Sequence, residues 1–224
     1  MSRAVLKAVG LAKSYPSPGG KIVVLQDINL EVRQGEMVHI TGPSGSGKTT
    51  LLGCLSGLLA PDAGHVLFHD KSLPSSDSAK ARLRREHMAF VFQTGNLLPY
   101  LTAVQNAALA LILKGTPQRK ALDMASRLLT EFGLGERLRH YPERLSGGEQ
   151  QRVAVARAAL SGAEVLLADE PTGNLDDANS RQLAEHLAGL RHSGCAVVVV
   201  SHDPMFRELA DITVRLRGGR LEVG

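Results

Sequence analysis

Apolar and polar positions change their period along the chain, and the changes divide it into blocks. Near the start, Ile28, Leu30 and Val32 alternate with polar residues, the period of two expected of a half-buried strand. Ser17-Pro18-Gly19-Gly20 before them reads as a turn between two strands. Met37 to Thr41 is a short apolar strand running straight into glycine. From Thr49 the period lengthens. Leu51, Leu52, Leu55, Leu58 and Leu59 fall at helical spacing, and Pro61-Asp62-Ala63-Gly64 ends the predicted helix. Strand, glycine loop and helix in that order are the local architecture of a parallel α/β sheet.

Strand signals are absent from about Thr94 to Ser161. Thr102 to Lys114 and Gln118 to Phe132 predict amphipathic helices, the second with Leu122, Ala125, Leu129 and Phe132 on one face. Residues 94–161 are therefore expected to form a helical subdomain within a single domain spanning 1–224. The α/β pattern then returns. Val165 to Ala168 predicts a buried strand and Ser180 to Arg191 a helix. Ala196 to Val200 has the near-continuous β-branched character of a strand inside a parallel sheet. Ile212 to Leu216 and Leu221 to Val223 predict a hairpin turning at Gly218-Gly219.

Composition narrows the class. Of 224 residues, 43% are hydrophobic and 21% charged, enough apolar surface for a normal core and against disorder. The net charge of +4 is evenly spread and does not point to nucleic acid. The one dense basic run, Lys80 to Arg85, reads as a solvated helix face. Cys54 and Cys195 each sit in an apolar run, as reduced core thiols do, rather than in a disulfide or metal pattern. The first residues lack the apolar core of a signal peptide. No stretch approaches the roughly 18–20 apolar residues that span a bilayer. A soluble chain is expected, with any membrane role exercised through a partner.

Two segments carry recognisable chemistry. Gly42-Pro43-Ser44-Gly45-Ser46-Gly47-Lys48-Thr49, followed by Thr50, fits the phosphate-loop pattern G-x-x-x-x-G-K-[ST], between a predicted strand and a predicted helix. Its glycines let backbone N–H groups face phosphate, and the helix start adds a positive end. Lys48 is expected at the β- and γ-phosphates, with the Thr49 hydroxyl on Mg²⁺. The apolar run Val165 to Ala168 ends in Asp169-Glu170. Asp169 suits the Mg²⁺ shell and Glu170 suits a general base for water, which favours hydrolysis over phosphoryl transfer to a kinase substrate. Paired acids at a strand end also occur as a plain helix-start signal. Between the two lies Leu145-Ser146-Gly147-Gly148-Glu149-Gln150, where Ser146 and Glu149 have capping-box spacing and the glycine amides make a second anion-binding helix start.

These motifs, in this order and spacing, resemble the nucleotide-binding subunit of an ATP-binding cassette (ABC) transporter over the whole chain. The resemblance implies a P-loop NTPase core with a mainly parallel sheet, an N-terminal antiparallel β subdomain and the inserted helical subdomain. It implies ATP and Mg²⁺ as cofactors. By position in the family pattern, Gln93 matches the loop glutamine that senses Mg²⁺ and faces the membrane partner, and His202 matches the switch histidine at the γ-phosphate. Asp176, in Gly173-Asn174-Leu175-Asp176, matches the loop that links two sites across a dimer, and Tyr15 matches the aromatic stacked on adenine. Leu145 to Gln150 matches the signature that contacts the other copy's ATP. A homodimer of ATPase subunits is implied, joined to an integral membrane permease-type subunit at the cytoplasmic face of the membrane, without nucleic acid. An alternative is a soluble ABC-type ATPase acting without a membrane partner. Phe90 to Pro99, Leu101 to Asn106 and Asp169 to Asp176 resemble the bacterial branch serving lipoprotein release, efflux and cell division. Gln105 departs from that branch, which commonly has Glu there.

Overall fold

The computed structural model describes residues 3–173 and 175–223. Asn174, within the expected dimer-linking loop, lies outside them. In chain order the elements are β1 (Ala4–Ser17), β2 (Gly20–Arg33), β3 (Met37–Thr41), α1 (Lys48–Leu55), β4 (Ala63–Phe68), β5 (Lys71–Ser72), α2 (Asp77–His87) and β6 (Met88–Val91). There follow α3 (Ala103–Leu113), α4 (Gln118–Glu131), α5 (Gly147–Leu160), β7 (Val165–Asp169) and α6 (Asp177–Gly189). The chain closes with β8 (Ala196–Val200), α7 (Met205–Leu209), β9 (Ile212–Arg217) and β10 (Arg220–Val223).

The strands form two sheets. One is antiparallel, in the order β2-β1-β4-β5. The other has six strands in the order β10-β9-β3-β8-β7-β6, parallel throughout except for β10. Period-two alternation sorts its side chains into two layers. Val38, Ile40, Val165, Leu167, Val198 and Val200 pack with α1 and the antiparallel sheet. Met37, Val91, Leu166, Ala168, Val197 and Val199 pack with α5, α6 and α7. The helices α3 and α4 extend that second layer through Ala107, Ala125 and Leu129, and no strand lies between residues 92 and 164 among those described.

Several expected boundaries move for local reasons. The helix after the phosphate loop ends at Leu55, before Leu58 and Leu59, because Gly57 takes φ +69° and closes the turn with a bond from its N–H to the Cys54 carbonyl. Leu58 is left exposed. Ala63 and Gly64, expected only to terminate that helix, begin β4. The helix expected from Ser180 starts three residues earlier because the Asp176 carboxylate accepts from Asn179 N–H and caps it. Helix α2, which carries the basic run, has no buried residue, as a solvated face should. Both cysteines are free and buried, and burial pushes their thiols up to about 11 for Cys54 and about 12 for Cys195. No helix among the described residues is long and apolar enough to cross a membrane.

The two sheets are latched at one end by side chains. His69, just past β4, lies 2.6 Å from Glu164 Oε2, and His87, at the end of α2, lies 2.7 Å from Glu164 Oε1. Burial pushes the Glu164 carboxyl up, but the hydrogen bonds from the two imidazoles outweigh it and hold the group below its ordinary 4.5. A carboxyl held low contributes stability above its ordinary value and loses that contribution as pH falls through the lower folded value. Glu164→Gln should therefore lower the melting temperature at neutral pH, by up to about 4 °C for a half-exposed pair worth about 1 kcal/mol. The gap to wild type should close below pH 4.5. Melting curves across pH check this, and a gap that persists in acid would contradict it.

Candidate active site

The phosphate loop leaves β3 at Thr41 and enters α1 at Lys48. Gly42 sits at φ +154°, where an added Cβ would lie 2.4 Å from the Leu216 carbonyl oxygen. Only glycine fits against β9 there. The N-cap of α1, Gly47, offers no side-chain acceptor, so the first amides of the helix stay free for an anion. Lys48 is almost fully buried, and its Nζ donates to the carbonyls of Gly42 at 2.8 Å and Pro43 at 3.2 Å. The loop's own backbone thus orients the ammonium.

Opposite it, β7 ends at Asp169 and the chain turns sharply at Glu170, a non-glycine residue at φ +46°. A left-handed backbone costs such a residue about 1–3 kcal/mol and persists only where its surroundings impose it. Here Glu170 N–H donates to Val200 O at 2.9 Å and Glu170 O accepts from Gly173 N–H at 3.1 Å. The turn places Glu170 Oε1 3.6 Å from Lys48 Nζ and 3.1 Å from His202 Nε2. Neither contact is aligned as a hydrogen bond, so Oε1 is buried beside the Lys48 ammonium and the His202 imidazole without a donor. His202 follows β8 and stays half exposed, while Asp203 is held by Thr172 Oγ1 at 3.1 Å. Gln93 lies in the turn after β6, with its Nε2 against Gly173.

These residues enclose a cleft of about 570 Å³ lined by Ser44, Gly45, Gly47, Lys48, Thr49, Thr50, Gln93, Asp169, Glu170, Gly173 and His202, with Val24 of β2 as an apolar wall. Thr49, Asp169 and Gln93 bring hard oxygen donors to the same cleft. That donor set fits Mg²⁺, which takes one or two carboxylates and completes its shell with phosphate and water oxygens.

Other expected site residues lie elsewhere. Gly42, Pro43 and Ser46 shape the loop without lining the cleft. Tyr15 is not among the lining residues either; it is part-exposed on β1, with Lys13 Nζ 5.7 Å from its ring centre. The segment Leu145 to Gln150 is outside the cleft of its own chain. Its capping box is complete: Glu149 N–H donates to Ser146 Oγ at 3.2 Å, and Ser146 N–H to Glu149 Oε2 at 2.8 Å. Ser146 and Gly147 are exposed. Asp176 caps α6, and Asn179, which it holds, bonds Arg152 of α5.

The structure adds residues that sequence reasoning passed over. Val24 reaches the cleft from the strand opposite β1. Asn106, fully buried in α3, accepts from Leu98 N–H and donates to the carbonyls of Leu98, Leu101 and Thr102. Gln151 and Arg157 of α5 bond the loop around Gln93. A polar residue on the apolar face of a predicted helix was the available signal for Asn106.

Known proteins resemble this chain in sequence and in fold. A family model described as ABC transporter matches residues 25–173. The chain is 40% identical over 219 residues to the macrolide export ATP-binding/permease protein MacB of Salmonella typhimurium, covering 97% of this chain and 34% of that protein. It is 41% identical to MacB 1 of Yersinia pestis over the same shares. It thus spans about a third of the length of these curated relatives. The fold superposes on the ATP-binding cassette MJ0796, solved as a dimer in a post-hydrolysis state with ADP and Pi. The TM-score is 0.90 and identity 35%, over 97% of this chain and 96% of that one. It also matches cbiO1 of Clostridium perfringens, part of the ABC transporter complex cbiONQ, with a TM-score of 0.84 and 25% identity over 99% and 88% of the two chains.

The close approach at Gly42 has a measurable consequence. In Gly42→Ala, the left-handed backbone costs about 1–3 kcal/mol before the contact with Leu216 is counted. The melting temperature should fall by roughly 5 °C or more. A variant that melts like wild type would show that the loop does not depend on this approach.

Proposed function

The chain belongs to the ABC transporter family, and on that premise we propose that it is an ATP-binding and ATP-hydrolysing subunit that drives a separate membrane subunit. One observation carries the reading. A single cleft gathers Lys48, Thr49, Gln93, Asp169, Glu170 and His202, while the capped helix start at Ser146 faces outward on the same chain. Each chain therefore presents one phosphate cleft and one separate anion-binding helix start. Two copies head to tail complete two sites, each with Leu145 to Gln150 of one copy over the nucleotide of the other. The MJ0796 cassette, solved as a dimer bound to ADP and Pi, supports an assembly of two copies.

Within the cleft, the amides of Gly45, Gly47, Lys48 and Thr49 and the Lys48 ammonium bind the phosphates. Thr49, Asp169 and Gln93 would hold Mg²⁺, which supplies charge neutralisation at the β- and γ-oxygens. Glu170 polarises the attacking water. Its carboxylate lines the cleft beside the Lys48 ammonium and the His202 imidazole, with no hydrogen-bond donor on Oε1, and would accept one from water. His202, 3.1 Å from Glu170 Oε1, would contact the γ-phosphate. Tyr15, at the end of β1, stacks on adenine, and Asp176 links the sites through Asn179 and Arg152.

The partner reading rests on exposure. Leu97 packs against the core, whereas Leu98 is 46% exposed and Tyr100 89% exposed, in a loop whose backbone Asn106 holds rigid. An ordered apolar pair in water marks a contact surface. A permease-type subunit docking there places this chain at the cytoplasmic face of a membrane.

Glu170→Gln should keep ATP affinity, lower turnover by about 10²–10⁴-fold and accumulate an ATP-bound dimer on size exclusion. Near-normal hydrolysis by the purified variant removes Glu170 from the mechanism. Leu98→Asp with Tyr100→Asp should leave melting temperature and basal hydrolysis unchanged while co-purification with the membrane subunit is lost. A drop in stability, of the several kcal/mol that burying charge costs, would instead place both residues in the core.

A further inference from the structure

Helix α5 grips the loop that carries Gln93 on both sides. Gln151, 2% exposed, donates from Nε2 to the Phe92 carbonyl at 2.7 Å, one residue before Gln93. Arg157 donates from Nη2 to the Gly95 carbonyl at 3.0 Å and from Nη1 to the Asn96 carbonyl at 3.1 Å, just after it. The guanidinium fork spans two successive carbonyls, a geometry a single ammonium does not reproduce. The same helix begins at the exposed cap, Ser146 to Gly148. One rigid element thus holds both the surface offered to a second copy and the backbone on either side of Gln93. Gln93 itself makes no such bond, and its reach into the cleft is set by the backbone that α5 fixes.

We propose that Gln151 and Arg157 are positioning residues that hold Gln93 at the nucleotide cleft, so that contact at the start of α5 is carried to the Mg²⁺-binding loop. The proposal rests on the reading above that Gln93 contributes to the Mg²⁺ shell. A side chain that orients a metal ligand affects metal affinity far more than affinity for metal-free nucleotide. A residue that only stabilises the fold affects both alike.

Arg157→Lys keeps the charge and loses the fork; Gln151→Met keeps the volume and loses the donor. Both are placed in the Glu170→Gln background, where ATP is not consumed, and Mn²⁺ affinity is read by electron paramagnetic resonance as a probe for Mg²⁺. Each should weaken Mn²⁺ binding to the ATP-loaded protein by about tenfold or more. Melting temperature and affinity for a fluorescent ATP analogue in EDTA should match the parent. Unchanged Mn²⁺ affinity in either well-folded variant overturns the proposal. So does a parallel fall in melting temperature and EDTA affinity, or failure of both variants to fold, because the bonds are then structural. Gln93→Ala, measured alongside, separates the layers. If it leaves Mn²⁺ affinity intact, the assignment of Gln93 itself is wrong and this inference falls with it.

Discussion

The parallel register of β3, β8 and β7 is the constraint on which the site depends. Ile40 and Asp169 both pair with Val200, so the three strands end level. Ser201 N–H then donates to the Ile40 carbonyl and Glu170 N–H to the Val200 carbonyl, extending the ladder one step beyond the sheet. Residues far apart in sequence, Gly42, Glu170 and His202, thereby emerge along one edge. The register is protected by chemistry as well as by hydrogen bonds. Slipping β7 by one residue would exchange the layers of Leu166 and Leu167 and draw Asp169 toward the apolar interior, which costs several kcal/mol for an unpaired carboxylate.

The same edge explains why strain is tolerated at Glu170. Its left-handed backbone is a local loss, but the two hydrogen bonds that impose it belong to the sheet edge and to the turn at Gly173. An extended backbone there would aim the side chain along the alternation of β7 and away from Lys48. The turn instead sets a carboxylate beside Lys48 and His202 without a hydrogen bond from either. The fold thus holds an unpartnered acceptor in the wall of the cleft, and the core strands bear the cost.

Contiguous chemistry was legible in the sequence and long-range chemistry was not. The phosphate loop, the Asp169-Glu170 strand end and the Ser146 cap are each written in neighbouring residues, and their flanking periodicity set them on a strand or a helix. Five of the strands fell close to their expected limits because β-branched runs and glycine turns bound them. Boundaries drifted where a cap lay outside the apolar pattern, as at Asp176, or where a leucine pair outlasted its helix, as at Leu58 and Leu59. The bonds from Gln151 and Arg157 left no local trace, since each joins a side chain to a backbone carbonyl of a loop without periodicity, and Asn106 showed only as a polar residue on an apolar helix face. Tyr15 is assigned from resemblance alone; it stands on β1 outside the lining of the cleft, to which Val24 of β2 contributes.

Helix α5 joins the exposed cap at Ser146 to the loop of Gln93. Its capping box is satisfied inside the chain, and Arg137 at 3.0 Å from Glu149 Oε1 braces the acid that closes it. The helix start is therefore stable without a second copy, and docking need not order it first. Beyond the cap, the helix is buried by Val153, Ala154, Val155 and Ala156, with no slack to bend. What it carries is the loop of Gln93 through Gln151 and Arg157, and the α6 start through Arg152 and Asn179. On the proposal above, this capped, exposed helix end and its buried shaft are the elements that would carry contact between two chains to the cleft of each.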